Sequence, residues 1–194
     1  MLKLVTVPNS ILAGQTKKVE QFDASLENLL KDMDQTLSAQ VNPQGVGLAA
    51  PQIGKNLALF IIKPTPEAKT EIFINPRILK LEVGSEKLEV KNRTSNLKPQ
   101  TSNRKTKLEG CLSIPKIWGH INRANKVYLE FQDLKGKTHK KWFSRFKSLI
   151  IQHEVDHLKG ILFTQRALEQ NNQLYEEKDG ELLPLRFQNT GANT

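Results

Sequence analysis

The sequence predicts an α+β domain, because two segments of helical apolar period are separated by a series of short β-type runs within a length suited to one domain. Residues 23–39 form the first helix: Leu26, Leu29, Leu30, Met33 and Leu37 recur at three-to-four spacing behind Asp23 and Ser25, both N-cap types. A Gly-rich turn follows at 43–47. Short β-type runs then occupy 57–63, 70–75 and 79–90, the last interrupted by Gly84, with Pro64, Pro66 and Pro76 as punctuation. Residues 126–132 and 137–143 flank Asp133-Leu134-Lys135-Gly136 and predict an antiparallel hairpin. The second helix runs from Ser144, an N-cap type, to Gly160, a C′ type, with Phe143, Phe146, Leu149, Ile150, Val155 and Leu158 on its apolar period.

The chain has 194 residues, of which 38% are hydrophobic, enough to build a core and to exclude global disorder. Its longest apolar run, from Leu57 to Ile62, is six residues, far short of the roughly 20 that a membrane helix needs. No membrane partner is expected. The opening segment lacks the apolar stretch of a secretory signal, so a cytoplasmic location is expected, an organellar equivalent being compatible. A single cysteine cannot form an internal disulfide, which leaves Cys111 as a small hydrophobe, a metal ligand or a nucleophile. The net charge of +9 favours an anionic partner surface. Two basic stretches carry much of it: residues 91–107 and residues 135–147 hold six Lys/Arg each and no acid. The first is expected to be a mobile loop, since Leu97 is its only large apolar side chain. Residues 166–194 are mildly acidic and are expected to be part helix and then frayed tail, with 174–179 as a solvated helix face.

The second helix carries Gln152-His153-Glu154-Val155-Asp156-His157-Leu158, an H-E-x-x-H motif. Residues four apart on a helix are about 40° apart in net rotation, so His153 and His157 project from one face and can share a metal. Glu154 lies beside that face, free to accept a proton from a water whose pKa the metal draws toward about 7. Four polar or charged groups on an otherwise apolar helix would be expensive to bury without a shared task. A third ligand is required. A metzincin pattern would place it at position 163, which is Phe163. Glu177 stands at a thermolysin-like distance, and Cys111, in Glu109-Gly110-Cys111-Leu112-Ser113, is the alternative. Asp156 shares the helix with both histidines and is expected to pair with a base such as Arg123.

Three motifs, Gly45-Val46-Gly47-Leu48-Ala49-Ala50-Pro51-Gln52, Glu109-Gly110-Cys111-Leu112-Ser113 and the H-E-x-x-H segment, stand in the order found in the peptide deformylases, which this sequence resembles over residues 2–165. The resemblance implies mixed or antiparallel β-sheets packed around a central metal-binding α-helix, with an N-terminal helix, in a catalytic domain over 1–165; the basic insertion at 91–107 departs from the family's usual length, and 166–194 is read as an extension. It implies hydrolysis of the N-formyl group from formylmethionyl nascent chains. One divalent metal per chain is implied on Cys111, His153 and His157, natively Fe(II), with Zn(II), Ni(II) or Co(II) able to occupy the site. Glu154 would be the general base and acid. The Gln52 amide and the Leu112 N–H would stabilise the oxyanion.

Phe146, Leu149 and Ile150 precede His153 by seven, four and three residues and share its face, so with Val46 they are candidates to line a methionine pocket. Gly45 and Gly47 expose backbone that an extended peptide can pair with. The ribosome is a possible partner through the surfaces at 91–107 and 135–147, and a monomer is expected. The residues alone also fit a zinc peptidase using Glu177, or a basic RNA-binding module.

Overall fold

The computed structural model describes residues 1–83, 86–89 and 106–186, with backbone alone at 86–89. The basic segment at 91–105 and the tail at 187–194 lie outside the described residues. Helix α1 (Ala24–Ser38) begins as the sequence predicts: Asp23 is its N-cap and accepts from the Leu26 N–H, satisfying one orphan donor of the first turn. Strand β1 (Gly47–Ala49), a 3₁₀ turn (Ala50–Ile53) and strand β2 (Leu59–Ile62) follow. The long strand β3 (Glu71–Val83) turns back into β4 (Glu86–Glu89). Strands β5 (Lys107–Cys111) and β6 (Ile114–Ile121) precede the predicted hairpin, β7 (Lys126–Gln132) and β8 (Thr138–Ser144). Helix α2 (Arg145–Leu158), helix α3 (Phe163–Glu169) and a final hairpin of β9 (Leu174–Lys178) and β10 (Glu181–Pro184) complete the order.

Two antiparallel sheets result. The larger runs β1-β2-β3-β7-β8 with β4 beside β3, and the smaller runs β10-β9-β6-β5. The apolar run that reads as β2 is continuous because the strand is buried on both faces. Leu59 and Ile61 join Leu26, Leu30, Met33 and Leu37 of α1 in one core, while Phe60 and Ile62 join Ile150, Ile151, Val155 and Leu158 of α2 in another. Helix α2 is therefore wedged against β1, β2, β7 and β8. A third core of Ile114, Ile121, Phe163, Ala167 and Leu174 ties α3 to the smaller sheet.

Residues 174–179 differ from the helical face that the sequence suggests. Leu174 is buried, and Leu174, Tyr175 and Glu176 pair with Gly119, Trp118 and Ile117 of β6. The free edge of β6 decides the conformation there, a tertiary contact that overrides local pattern. The two strands β5 and β6 are not evident from sequence because Gly110, Pro115 and Gly119 break the alternation. Among the described residues no helix is long and apolar enough to cross a membrane.

Phe73 is the hub of the core beneath α2. Its ring lies 4.8 Å from Phe60 and from Phe131, and 5.5 Å from Phe143 in an edge contact. Phe73→Ala is expected to cost about 3–5 kcal/mol, since a fully buried aromatic leaves a cavity and several lost ring contacts. Urea unfolding monitored by far-ultraviolet circular dichroism measures this, and a loss below about 1 kcal/mol would show that the core collapses to fill the space.

Candidate active site

Helix α2 brings two imidazoles to one face, as a spacing of four residues requires: the rings of His153 and His157 have centroids 5.0 Å apart. Cys111 arrives from the end of β5, where an irregularity between Gly110 and Cys111 breaks the pairing with β6. Its Sγ lies 3.2 Å from His157 Nε2. Ligand atoms of Cys111, His153 and His157 all lie within 4.8 Å of one another. Glu177, the competing third ligand, is elsewhere: its Oε2 accepts from Trp118 Nε1 at 2.7 Å. The soft thiolate and two imidazoles suit a transition metal.

A buried ion-pair cluster holds this trio. Arg123 makes a two-pronged contact with Glu109 (2.8 and 2.9 Å) and a third bond to Asp156 Oδ2 (2.5 Å), and Asp156 also accepts from Arg166. The pairing of Asp156 with Arg123 is the one the sequence suggests. Glu109 Oε2 in turn meets His153 Nδ1 at 3.1 Å, which leaves His153 Nε2 for a metal. Burial alone would raise the Glu109 carboxyl, but the Arg123 guanidinium beside it holds it down to about 2. Burial would likewise raise the Cys111 thiol, yet His157 and His153 hold it well below its ordinary value, in the thiolate form that binds metal. Arg123 itself is placed by its neighbour: the Gln152 side chain accepts from the Ala124 N–H (3.0 Å) and donates to the Ala124 carbonyl (2.9 Å).

Glu154 is 3% exposed, and its Oε2 has no hydrogen-bond partner among the described residues. Burial pushes its carboxyl up to about 7, against the pull of His153 and His157. Its closeness to β1 demands glycine there, because a Cβ at Gly47 would sit 2.3 Å from Glu154 Oε1. Gln52 is fixed by an N–H: the Ala49 amide donates to its Oε1 at 2.8 Å, so its Nε2 faces Cys111 Sγ (3.4 Å) and Ser113 Oγ (3.3 Å). The N-terminal segment stitches these two motifs together, through Val5 N–H to the Gln52 carbonyl and Val7 N–H to the Ser113 carbonyl.

A cleft of about 1060 Å³ opens above the trio. Gly45, Val46, Gly47, Gln52, Cys111, Leu112, Phe146, Leu149, Ile150, His153 and Glu154 all line it, while His157 lies beneath. Phe146, on the predicted apolar stripe of α2, is 50% exposed and faces this opening instead of the core. Sequence reasoning did not assign Glu109, Gln152 or Trp118. Glu109 and Gln152 sit inside the recognised motifs, so proximity to Cys111 and His153 was the available signal.

The polypeptide deformylase family model matches residues 1–173. The chain belongs to the peptide deformylase family. A peptide deformylase from Dictyoglomus turgidum is 35% identical over 178 residues, covering 92% of this chain and 99% of that one. The crystal structure of a peptide deformylase from Legionella pneumophila superposes with a TM-score of 0.71 at 30% identity, covering 88% of this chain and 89% of that chain. That of a peptide deformylase from Synechococcus elongatus in complex with actinonin gives 0.70 at 29% identity, covering 88% and 84%. Peptide deformylases are metal-dependent hydrolases that remove the N-formyl group from nascent polypeptides, and this is the chain's activity.

Arg123→Leu removes one partner from a buried cluster and strands two carboxylates, so a stability loss of about 3–5 kcal/mol is expected. Chemical unfolding measures that loss, and the metal content after dialysis against chelator is expected to fall with it. A variant that is as stable as the parent and keeps its metal would refute the role of Arg123 in holding the site.

Proposed function

We propose that Cys111, His153 and His157 hold one divalent metal per chain, natively Fe(II), with Zn(II), Ni(II) or Co(II) as substitutes, and that deformylation takes place at the floor of the cleft. The observation that carries this reading is the unpaired, buried Oε2 of Glu154 beside the Cys-His-His donor set. A divalent ion on those ligands supplies Lewis acidity and an activated water at neutral pH. Glu154 would accept the water's proton at Oε2 and return it to the leaving amine, its buried position beside the donor set placing one carboxylate within reach of both transfers. The Gln52 amide and the Leu112 N–H are the donors for the developing oxyanion. Val46, Phe146, Leu149 and Ile150 form the apolar side of the cleft, which takes the methionine side chain.

Main-chain recognition follows from register. Val46 C=O accepts from Lys63 N–H, and Gly47 pairs opposite Ile62, so in the antiparallel alternation the N–H and C=O of Gly47 face away from β2. β1 and β5 are both edge strands and both line the cleft, so an extended peptide can lie between them. Gly45, which precedes that edge, is buried and its N–H is committed to the Gln40 carbonyl at 2.9 Å, so its N–H is not offered to a peptide as the sequence suggests. Action as a monomer is proposed, since the candidate ligands, the Gln52 amide and the Leu112 N–H all line or adjoin one cleft within the chain. A lone thiolate ligand favours the reducing cytoplasm or an organelle like it. The basic surface at 135–147, which includes β8 and the start of α2, is proposed to meet the ribosome, together with 91–107, whereas a division at 165 would cut α3, whose Phe163 and Ala167 share one core with β6 and β9.

Formate release from formyl-Met-Ala-Ser by protein loaded anaerobically with Fe(II) or Ni(II) tests the reading. Glu154→Ala is expected to lower kcat by at least about 10²-fold with metal retained. No release despite one bound metal per chain would overturn it. Formyl-Met peptides are expected to exceed formyl-Gly peptides by 10-fold or more in kcat/KM, on the order expected for burying an apolar side chain. Equal values would remove the pocket assignment.

A further inference from the structure

The outer half of the cleft carries charge that deformylation itself does not use. Its cationic lining is Lys107, Arg123, Lys126 and Arg145, and its acidic lining is Glu109 and Glu154. Arg123 is consumed by Glu109 and Asp156, and Glu109 by Arg123 and His153. Lys126 pairs with Glu82. Lys107 and Arg145 are exposed, and neither has a carboxylate partner among the described residues. The first turn of α2 carries no acidic side chain to offset Arg145. The remaining rim residues, Pro43, Gln44, Asn125 and Ser144, are uncharged.

Both cations stand at a similar distance along their elements from the candidate ligands. Lys107 precedes Cys111 by four strand residues, about 13 Å at the β rise. Arg145 precedes His153 by eight helical residues, about 12 Å at the α rise. An extended peptide advances by roughly 3.3–3.6 Å per residue, so with its formyl group at the floor its third and fourth residues reach about that same distance from the candidate ligands, in a cleft that both cations line. Arg145 is also fixed at the strand-to-helix junction: its φ is +55° and its N–H donates to the Asn125 carbonyl at 3.1 Å. An L residue pays for that left-handed conformation, which makes the position a defined one instead of a loose loop tip.

We propose that Lys107 and Arg145 are specificity-determining residues that select formylmethionyl chains with acidic side chains at the third and fourth positions and disfavour basic ones. The inference rests on the deformylase reading and deepens it. The methionine pocket and the edge strands accept any chain through apolar contact and main-chain pairing; the rim adds a charge filter. Because both cations are solvated, the filter acts on association and KM and weakens with salt.

The test compares three amidated peptides, formyl-Met-Ala-Glu-Glu, formyl-Met-Ala-Gln-Gln and formyl-Met-Ala-Lys-Lys, with formate release as the readout and the deformylated products as competitive inhibitors. At low ionic strength kcat/KM is expected to fall in that order, by about tenfold from first to last and mainly through KM, with inhibition by the products following the same order. High salt is expected to compress the series. The Lys107→Glu, Arg145→Glu double variant is expected to reverse it. Three equal values, or a preference that survives the double variant unchanged, would overturn the proposal while leaving deformylation standing. Failure of all three peptides, the neutral one included, in protein with one bound metal per chain would overturn the deformylase reading and this proposal together.

Discussion

The architecture of the site turns on one guanidinium that cannot lose its proton. Arg123 is 5% exposed in its side chain and lies between Glu109 and Asp156. An arginine in such a place keeps its charge, so both carboxylates have to be present and have to be ionised. Burial would lower the Arg123 pKa, but the two carboxylates raise it well above its ordinary value. The cluster is better understood as a registry device than as a source of net stability, because an apolar replacement of equal volume can match a buried ion network in stability. Glu109 stands two residues before Cys111 and contacts His153 directly; Asp156 precedes His157. Fixing Arg123 therefore fixes the approach of all three candidate ligands, and Arg166 extends the same tie to α3.

Much of the fold was legible where one physical signal dominated. The apolar stripe and N-cap of α1 follow from period and capping, the hairpin of β7 and β8 from its turn at 133–136, and the limits of α2 from its apolar period, although Ser144 at its start makes no side-chain capping bond. The failures share a cause. Strands β5 and β6 contain Gly110 and Gly119, whose missing side chains make room for Trp118 and for Leu174, and the glycines erase the alternation that marks a strand. The acidic string from Tyr175 to Lys178 has no strand pattern because its outer face is solvated; only the available edge of β6 makes it β-structure.

The site divides similarly. His153 and His157 were readable from spacing alone, since an α-helix leaves little choice about where residues four apart point. The third ligand was not. Spacing left both Cys111 and Glu177 open, although the charged surroundings of Glu177 spoke against it, and the fold parts them: β5 ends against α2, whereas Glu177 sits on β9 and is committed to the Trp118 indole. Family resemblance favoured Cys111 before geometry did. Glu109 and Gln152 went unassigned because their work is indirect, orienting an imidazole and a backbone turn, and such roles have no spacing rule.

Glu154 shows why the glycine motif and the helix motif belong to one device. An ionised carboxylate oxygen without a partner is costly in a buried setting, and proteins normally cover it with a donor. Here the Gly47 backbone is brought so close that no side chain fits between them, yet Oε2 has no partner among the described residues. The same glycine turns its own N–H and C=O toward the cleft. A single residue without a side chain thus lets the buried carboxylate of Glu154 approach and leaves the edge of β1 unpaired on its cleft side, as the proposed roles of both require. Chemistry and recognition are compressed into one short strand, and for that reason the cleft can treat the main chain uniformly while any discrimination between chains has to come from farther out, where side chains are free to reach solvent.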